Sequence, residues 1–239
     1  MHSTVAAPPV LTAVAVAKSY GPTVALAGVS LQIAAAESVA VMGASGSGKT
    51  TLLHCLAGII EPDAGAVTLA GPQGALRVDT LGPEGRSRLR RQHYGFVFQQ
   101  GLLLPELTAL ENVALPLLLD GVDRHRAEAE AAHWLAQLGL TGMEERRPGQ
   151  LSGGQHQRVA VARAQVGSPS VVFADEPTGA LDSRTSEQVV TALLQTTTGA
   201  GRSLVVVTHD QRVAAVCDRV LELSDGLIVN EHVNRRRAA

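Results

Sequence analysis

At 239 residues the chain has room for one large domain or two small lobes, with a core that needs neither disulfide nor metal. A net charge of −2 and an aromatic content of 3% exclude a global basic field and a base-stacking platform, so nucleic acid is not expected as a partner. The two cysteines, Cys55 and Cys217, lie far apart in apolar contexts and read as small core residues of a protein in a reducing compartment. The first segment, Met1 to Pro9, carries no secretory signal and reads as a flexible N-terminus. No stretch approaches the ~20 apolar residues of a membrane-spanning helix, which points to a soluble, cytoplasmic chain.

Val10 to Ala17 is valine-rich and predicts a strand that ends before the Gly21-Pro22 turn. Tyr20 sits at that end; it either stacks on a purine or half-buries at the strand terminus, and spacing alone does not decide. Val24 to Ile33 predicts a second strand and Ser38 to Met42 a short buried one. Then comes Gly43-Ala44-Ser45-Gly46-Ser47-Gly48-Lys49-Thr50-Thr51, which fits the phosphate-cradling pattern G-x-x-x-x-G-K-S/T between a strand end and a helix N-terminus. Glycines let the backbone wrap a phosphate, backbone N–H groups and the helix dipole face the anion, Lys49 meets the β- and γ-phosphates, and the Thr50 hydroxyl is placed to ligate Mg²⁺. Lys18 and Lys49 are the only lysines among 20 basic residues. Arg has been kept out of position 49, where a compact ammonium is needed.

Thr51 to Ala57 predicts a helix, Ala66 to Ala70 a strand, Gly71 to Gly85 an irregular Gly/Pro-rich segment, and Arg86 to Gln92 an exposed basic helix. Tyr94 to Phe98 predicts a strand, with Gln99 directly after it as a candidate Mg²⁺ or water ligand. Leu102 to Thr108 is apolar for a loop and is expected to be either a small satellite core or a docking patch. Three- and four-residue spacing from Asp123 to Leu140 predicts a helix, within a helical insert at about 102–165. Leu151-Ser152-Gly153-Gly154-Gln155 opens a helix to Gln165. Its Ser-Gly-Gly start reads as a second anion site, which two copies arranged head to tail would close on each other's nucleotide. An ordinary N-cap would explain Ser152 but not the glycine pair.

Val171 to Asp175 is a buried strand ending in Asp175-Glu176. Asp175 is placed to hold Mg²⁺ and Glu176 to act as general base on water; either acid can instead be structural. Val205 to His209 repeats the design, and His209 is a candidate to contact the γ-phosphate and orient the water. Alternation of strands and helices, with Ser186–Thr196 and Gln211–Val216 as helices and Val220–Leu223 as a strand, predicts an α/β fold with a largely parallel sheet. Residues 231–239, with Arg235-Arg236-Arg237, read as a basic tail.

Together these residues resemble the ATP-binding subunit of an ABC transporter, over about Val10 to Val229. On that resemblance Tyr20 is the adenine-stacking aromatic, Gly43–Thr50 the Walker A loop, and Gln99 the Q-loop residue. Leu151–Gln155 is the LSGGQ signature, Val171–Asp175 Walker B with Glu176 catalytic, Gly179-Ala180-Leu181-Asp182 the D-loop, and His209 the switch histidine. The resemblance implies a single ATPase domain at 10–230, built from a mostly parallel core sheet, an antiparallel β subdomain and a helical signature subdomain. It also implies ATP and Mg²⁺, an ATP-sandwich homodimer, and a position on the cytoplasmic face of the membrane beside a permease. Gly95–Gln99, Leu104–Val113 and Ala174–Asp182 are similar to the branch that serves lipoprotein release, macrolide and peptide efflux, and cell division. That branch implies export or force transmission, with a cell-division-type regulator that moves no substrate as the alternative, and it sets Leu102–Leu107 near the groove for the permease's coupling helix. His156 and Gln165 depart from the branch pattern; Gln165 either weakens packing of the helical lobe or marks a partner-specific contact. Non-transport members need long coiled coils or two cassettes, and this chain has neither.

Overall fold

The computed structural model describes residues 9–71 and 74–234, so 1–8 and the triple-arginine end lie outside the described residues. Along the chain run β1 (Pro9–Tyr20), β2 (Thr23–Ala34), β3 (Ser38–Met42), α1 (Lys49–Leu56), β4 (Ala64–Gly71), β5 (Gly74–Arg77), α2 (Pro83–His93) and β6 (Tyr94–Phe98). Then come α3 (Ala109–Leu119), α4 (Arg124–Gln137), α5 (Gly153–Gln165), β7 (Val171–Asp175), α6 (Ser183–Thr196), β8 (Ser203–Val207), α7 (Gln211–Val216), β9 (Arg219–Ser224) and β10 (Leu227–Val233).

Two sheets form. One is antiparallel, in the order β2-β1-β4-β5; the other is six-stranded, in the order β10-β9-β3-β8-β7-β6, with β10 antiparallel at its edge and the rest parallel. The central strand β8, Ser-Leu-Val-Val-Val, is buried at every position. Its side chains alternate between two cores. Leu204 and Val206 pack with α3, α4, α5 and α7, while Val205 and Val207 pack with α1 and the antiparallel sheet. A strand covered on both faces reads as an unbroken apolar run, which is why β3, β7 and β8 stand out in the sequence.

Several elements differ from expectation. β5 and the start of α2 occupy the Gly/Pro-rich stretch expected to be irregular. β10 carries Glu231 to Val233, which the sequence had assigned to the tail. Helix α3 forms through Pro116. A proline inside a helix costs about 3 kcal/mol, but here Thr108 and Glu111 make a reciprocal capping box, and Ala109, Asn112, Val113 and Ala114 are buried. The apolar loop before α3 divides its side chains. Leu103 enters the core, while Leu102 and Leu104 are exposed. Its backbone is gathered by the fully buried Asn112, whose Oδ1 accepts from the Leu104 amide at 2.8 Å and whose Nδ2 donates to the carbonyls of Leu104, Leu107 and Thr108 at 3.1, 3.2 and 2.9 Å.

Both cysteines are buried, and burial pushes their thiols up to about 11 for Cys55 and about 12 for Cys217. They are unreactive core residues. Among the described residues no helix is long and apolar enough to cross a membrane.

Replacing Asn112 with alanine leaves the Leu104 amide without its partner in a part-buried setting. We expect a stability loss of about 2–3 kcal/mol, read as a lowered urea midpoint.

Candidate nucleotide site

The candidate site is a cleft of about 520 Å³ lined by Tyr20, Ala25, Gly43, Ser45, Gly46, Gly48, Lys49, Thr50, Thr51, Gln99, Glu176, Val207 and His209. That volume lies within the range of small-ligand pockets. A second cleft adjoins it through the shared residues Thr50, Gln99 and Glu176, and adds Asp175.

The loop between β3 and α1 is shaped for close contact. Gly43 and Gly48 have φ of 148° and 102°, and a Cβ on either would lie 2.2 Å from a backbone oxygen, that of Leu223 or Ala25. No side chain could occupy those positions without moving the wall behind them. Gly48 is the N-cap of α1; no side chain caps the helix and no acid lies in its first turn. The first-turn amides are therefore free to face an anion. Lys49 Nζ donates to the carbonyls of Gly43 and Ala44 at 2.9 and 2.8 Å, which holds the ammonium inside the loop. Ala44, Ser45 and Gly46 form its exposed crest, and Ser47 is buried beneath it. This cradle fits a phosphate chain.

Across the cleft, the Thr50 hydroxyl donates to Asp175 Oδ1 at 3.4 Å. Burial raises the Asp175 carboxyl above the usual aspartate range, and the Thr50 hydrogen bond pulls it partly back. A desolvated carboxylate beside a hydroxyl is a donor set suited to a hard cation such as Mg²⁺. Glu176, the next residue, adopts a left-handed φ of 47° and donates its amide to Val207 O at 2.9 Å. Such a conformation costs about 1–3 kcal/mol in a non-glycine residue, and the following Pro177 narrows the choice further. That strain turns the carboxylate into the cleft. There His209 Nδ1–H donates to Glu176 Oε1 at 2.9 Å. An ionised carboxylate only accepts, which places a proton on Nδ1 in this pairing.

Tyr20 is half exposed at the rim, with Lys18 Nζ 5.9 Å from its ring centroid and paired to Asp63 Oδ1 at 2.6 Å. Gln99 projects beside Gly179, where a Cβ would meet its Nε2 at 2.8 Å.

Five of the expected residues stand elsewhere. Ser152, Gly153, Gly154 and Gln155 line neither cleft. Ser152 and Gln155 form a reciprocal capping box, with Gln155 N donating to Ser152 Oγ at 3.3 Å and Ser152 N donating to Gln155 Oε1 at 2.9 Å. Asp182 is also outside the clefts: it caps α6, accepting from the amides of Arg184 and Thr185 and from the Thr185 hydroxyl at 2.6 Å. These hydrogen bonds hold its carboxyl below the usual range. Two wall residues, Ala25 and Val207, were not anticipated; bland side chains carry no sequence signal for such a role.

Known proteins are similar to this chain in sequence and fold. Residues 26–179 match the family model described as ABC transporter. The chain is 48% identical over 206 residues to the lipoprotein-releasing system ATP-binding protein LolD of Paramagnetospirillum magneticum, covering 85% of this chain and 88% of that protein. It is 46% identical over 207 residues to the macrolide export ATP-binding/permease protein MacB of Chromobacterium violaceum, covering 86% of this chain but only 31% of that longer protein. Among solved structures it superposes on the ATP-binding cassette MJ0796, a dimer in a post-hydrolysis state bound to ADP and Pi, with a TM-score of 0.85 and 38% identity over 94% of this chain and 99% of that one. The chain belongs to the ABC transporter family and is one of its ATP-hydrolysing cassettes.

Proposed function

We propose that the chain powers a separate membrane permease by binding ATP between two head-to-tail copies and releasing them on hydrolysis. One observation carries this reading. The cleft around Lys49 holds a P-loop, Glu176 and His209, with Asp175 in the adjoining cleft, yet the chain's own Ser152–Gln155 helix start lies outside both. A second copy supplies that helix start, and the dimeric cassette described above supports the arrangement.

In this mechanism Gly43–Thr51 wraps the triphosphate and Lys49 leaves its two loop carbonyls for the β- and γ-phosphates. Tyr20 offers its ring to the base. Thr50, Asp175 and Gln99 would hold Mg²⁺, which neutralises charge on the phosphates. Glu176 takes a proton from the attacking water, and His209 holds that carboxylate in place through its 2.9 Å contact. Ser152 and the α5 N-terminus of the partner copy face the γ-phosphate from the other side.

The permease contact is a groove of about 450 Å³ whose lining includes Phe96, Phe98, Leu102, Leu115, Leu119 and Arg163. It lies next to Gln99, so a helix seated there is linked to the hydrolysis site through one strand end. The relatives named for lipoprotein release and macrolide export support an export or force-transmitting complex at the cytoplasmic face of the membrane. A cell-division-type complex that carries no cargo uses the same parts.

Lys49→Ala removes a charged donor and should weaken ATP binding by about 1.5–3 kcal/mol, roughly ten- to hundredfold; unchanged affinity in a titration refutes the cradle. Glu176→Gln should keep ATP affinity, slow hydrolysis by about 10²–10⁴-fold, and accumulate an ATP-bound dimer in gel filtration. Hydrolysis at the parental rate would remove Glu176 as the base. Purified from membranes with ATP, the Glu176→Gln chain should bring down a few-span membrane protein with a large extracytoplasmic domain; ribosomes or DNA ends in its place would sink the transport reading.

A further inference from the structure

Two helices start at the groups that a second copy would meet: α5 at Ser152 and α6 at Asp182. They run parallel and touch at both ends. At the start, Gly154 lies so close to α6 that a Cβ there would sit 2.4 Å from Thr185 Cγ2. At the far end, the fully buried Gln165 donates through Nε2 to Thr197 Oγ1 at 2.6 Å and to Thr196 Oγ1 at 3.3 Å. The first contact is apolar and can slide. The second is directional and cannot.

A third party closes the far end. Arg202, just before β8, donates from Nη1 to Gln165 Oε1 at 2.7 Å and from Nη2 to Ser168 Oγ at 3.2 Å. Its guanidinium carbon stands 5.5 Å from the ring centroid of Trp134 on α4, within cation–π range. Glu130, one turn earlier on α4, adds a favourable charge. The Arg202 amide also donates to Thr197 O at 3.0 Å, closing the turn between α6 and β8. One polar cluster, with Gln165 and Thr197 buried at its centre, thus joins α4, α5, α6 and the parallel sheet. An aliphatic residue at 165 would fill the same space without orienting anything.

Resting on the head-to-tail reading above, we propose that Gln165 and Arg202 are positioning residues. They set the tilt of α5 against α6, and so the placement of Ser152–Gln155 toward the partner's nucleotide, without touching nucleotide themselves. The lever is long enough. At ~1.5 Å per residue the 13-residue α5 spans about 20 Å, so a tilt of about 10° at Gln165 moves the Ser152 end by about 3 Å. A displacement of one hydrogen-bond length is enough to break the contact.

Trp134 is the chain's single tryptophan, so its emission reports this cluster directly. In the Glu176→Gln chain, Gln165→Leu should leave ATP affinity of the separate subunit within about twofold while weakening ATP-driven dimerisation about tenfold by sedimentation, since the Arg202 guanidinium loses its acceptor and the Thr197 hydroxyl its donor. Trp134 emission should shift in the same variant. Gln165→Glu should restore dimerisation, because its carboxylate accepts from both Arg202 and the Thr197 hydroxyl. Parental dimerisation by Gln165→Leu overturns the proposal, as does an equal loss of subunit ATP affinity, or failure of Gln165→Glu to rescue. If circular dichroism shows that Gln165→Leu does not fold, Arg202→Lys makes the same comparison, keeping the charge and stem while breaking the fork. A Glu176→Gln parent that stays monomeric with ATP overturns the head-to-tail reading itself, and this inference with it.

Discussion

Everything at the nucleotide site depends on the parallel pairing of β3, β8 and β7. Val41 pairs with Val207, and Val207 pairs with Asp175, so the three strands end in register. Whatever follows each strand is then delivered to one edge, side by side. After β3 comes the P-loop, after β7 Glu176, and after β8 His209. Strand spacing of about 4.8 Å brings groups from distant parts of the chain within hydrogen-bonding reach. The 2.9 Å contact between His209 and Glu176 spans 33 residues of sequence and one strand spacing. Shifting β8 by one residue would exchange its two apolar faces and withdraw His209 together, so core packing and the geometry of the candidate site are secured by the same register.

The antiparallel sheet and the helical lobe serve that edge from opposite sides. The first supplies Tyr20 and Ala25 as walls of the cleft and leaves no room for a side chain at Gly48. The second holds the strand end after β6. Gln157 Nε2 donates to Phe98 O at 2.9 Å, and Arg163 donates to Gly101 and Leu102 carbonyls at 2.7 and 2.8 Å. Helix α5 therefore grips both residues that follow Gln99 and Gln100, and the strand residue before them. Movement of α5 would reach Gln99 along the backbone, which would tie the face proposed to meet a second copy to the groove proposed for the permease.

Much of this was legible in the sequence, for a physical reason. A P-loop needs contiguous residues because one turn wraps one phosphate chain. Buried parallel strands advertise themselves as unbroken apolar runs with a polar residue at the end. Other parts were not legible. Helix α3 was hidden by Pro116, because local propensity cannot count the burial that outweighs it. Strand β5 is short and exposed, and so lacks an apolar pattern. Asp182 looked like part of a nucleotide motif, yet in the chain alone its oxygens are committed to capping α6. Gln165 remained open between loosened packing and a partner contact. Its partners, Thr197 and Arg202, lie 32 and 37 residues away, and only the fold brings them together.

The scarcity of lysine gives the molecule an unusual chemical profile. Of its two side-chain amines, Lys18 is paired to Asp63, which raises it above its ordinary value and leaves it protonated. The other is Lys49, held on the carbonyls of the P-loop. Amine-directed acylation, the routine way to tether or label a protein, therefore has two side-chain targets in this chain, and one of them is the nucleotide cradle itself. A bound triphosphate would shield that amine, so acylation at Lys49 becomes a measure of site occupancy. Attachment to a surface is better made through another side chain.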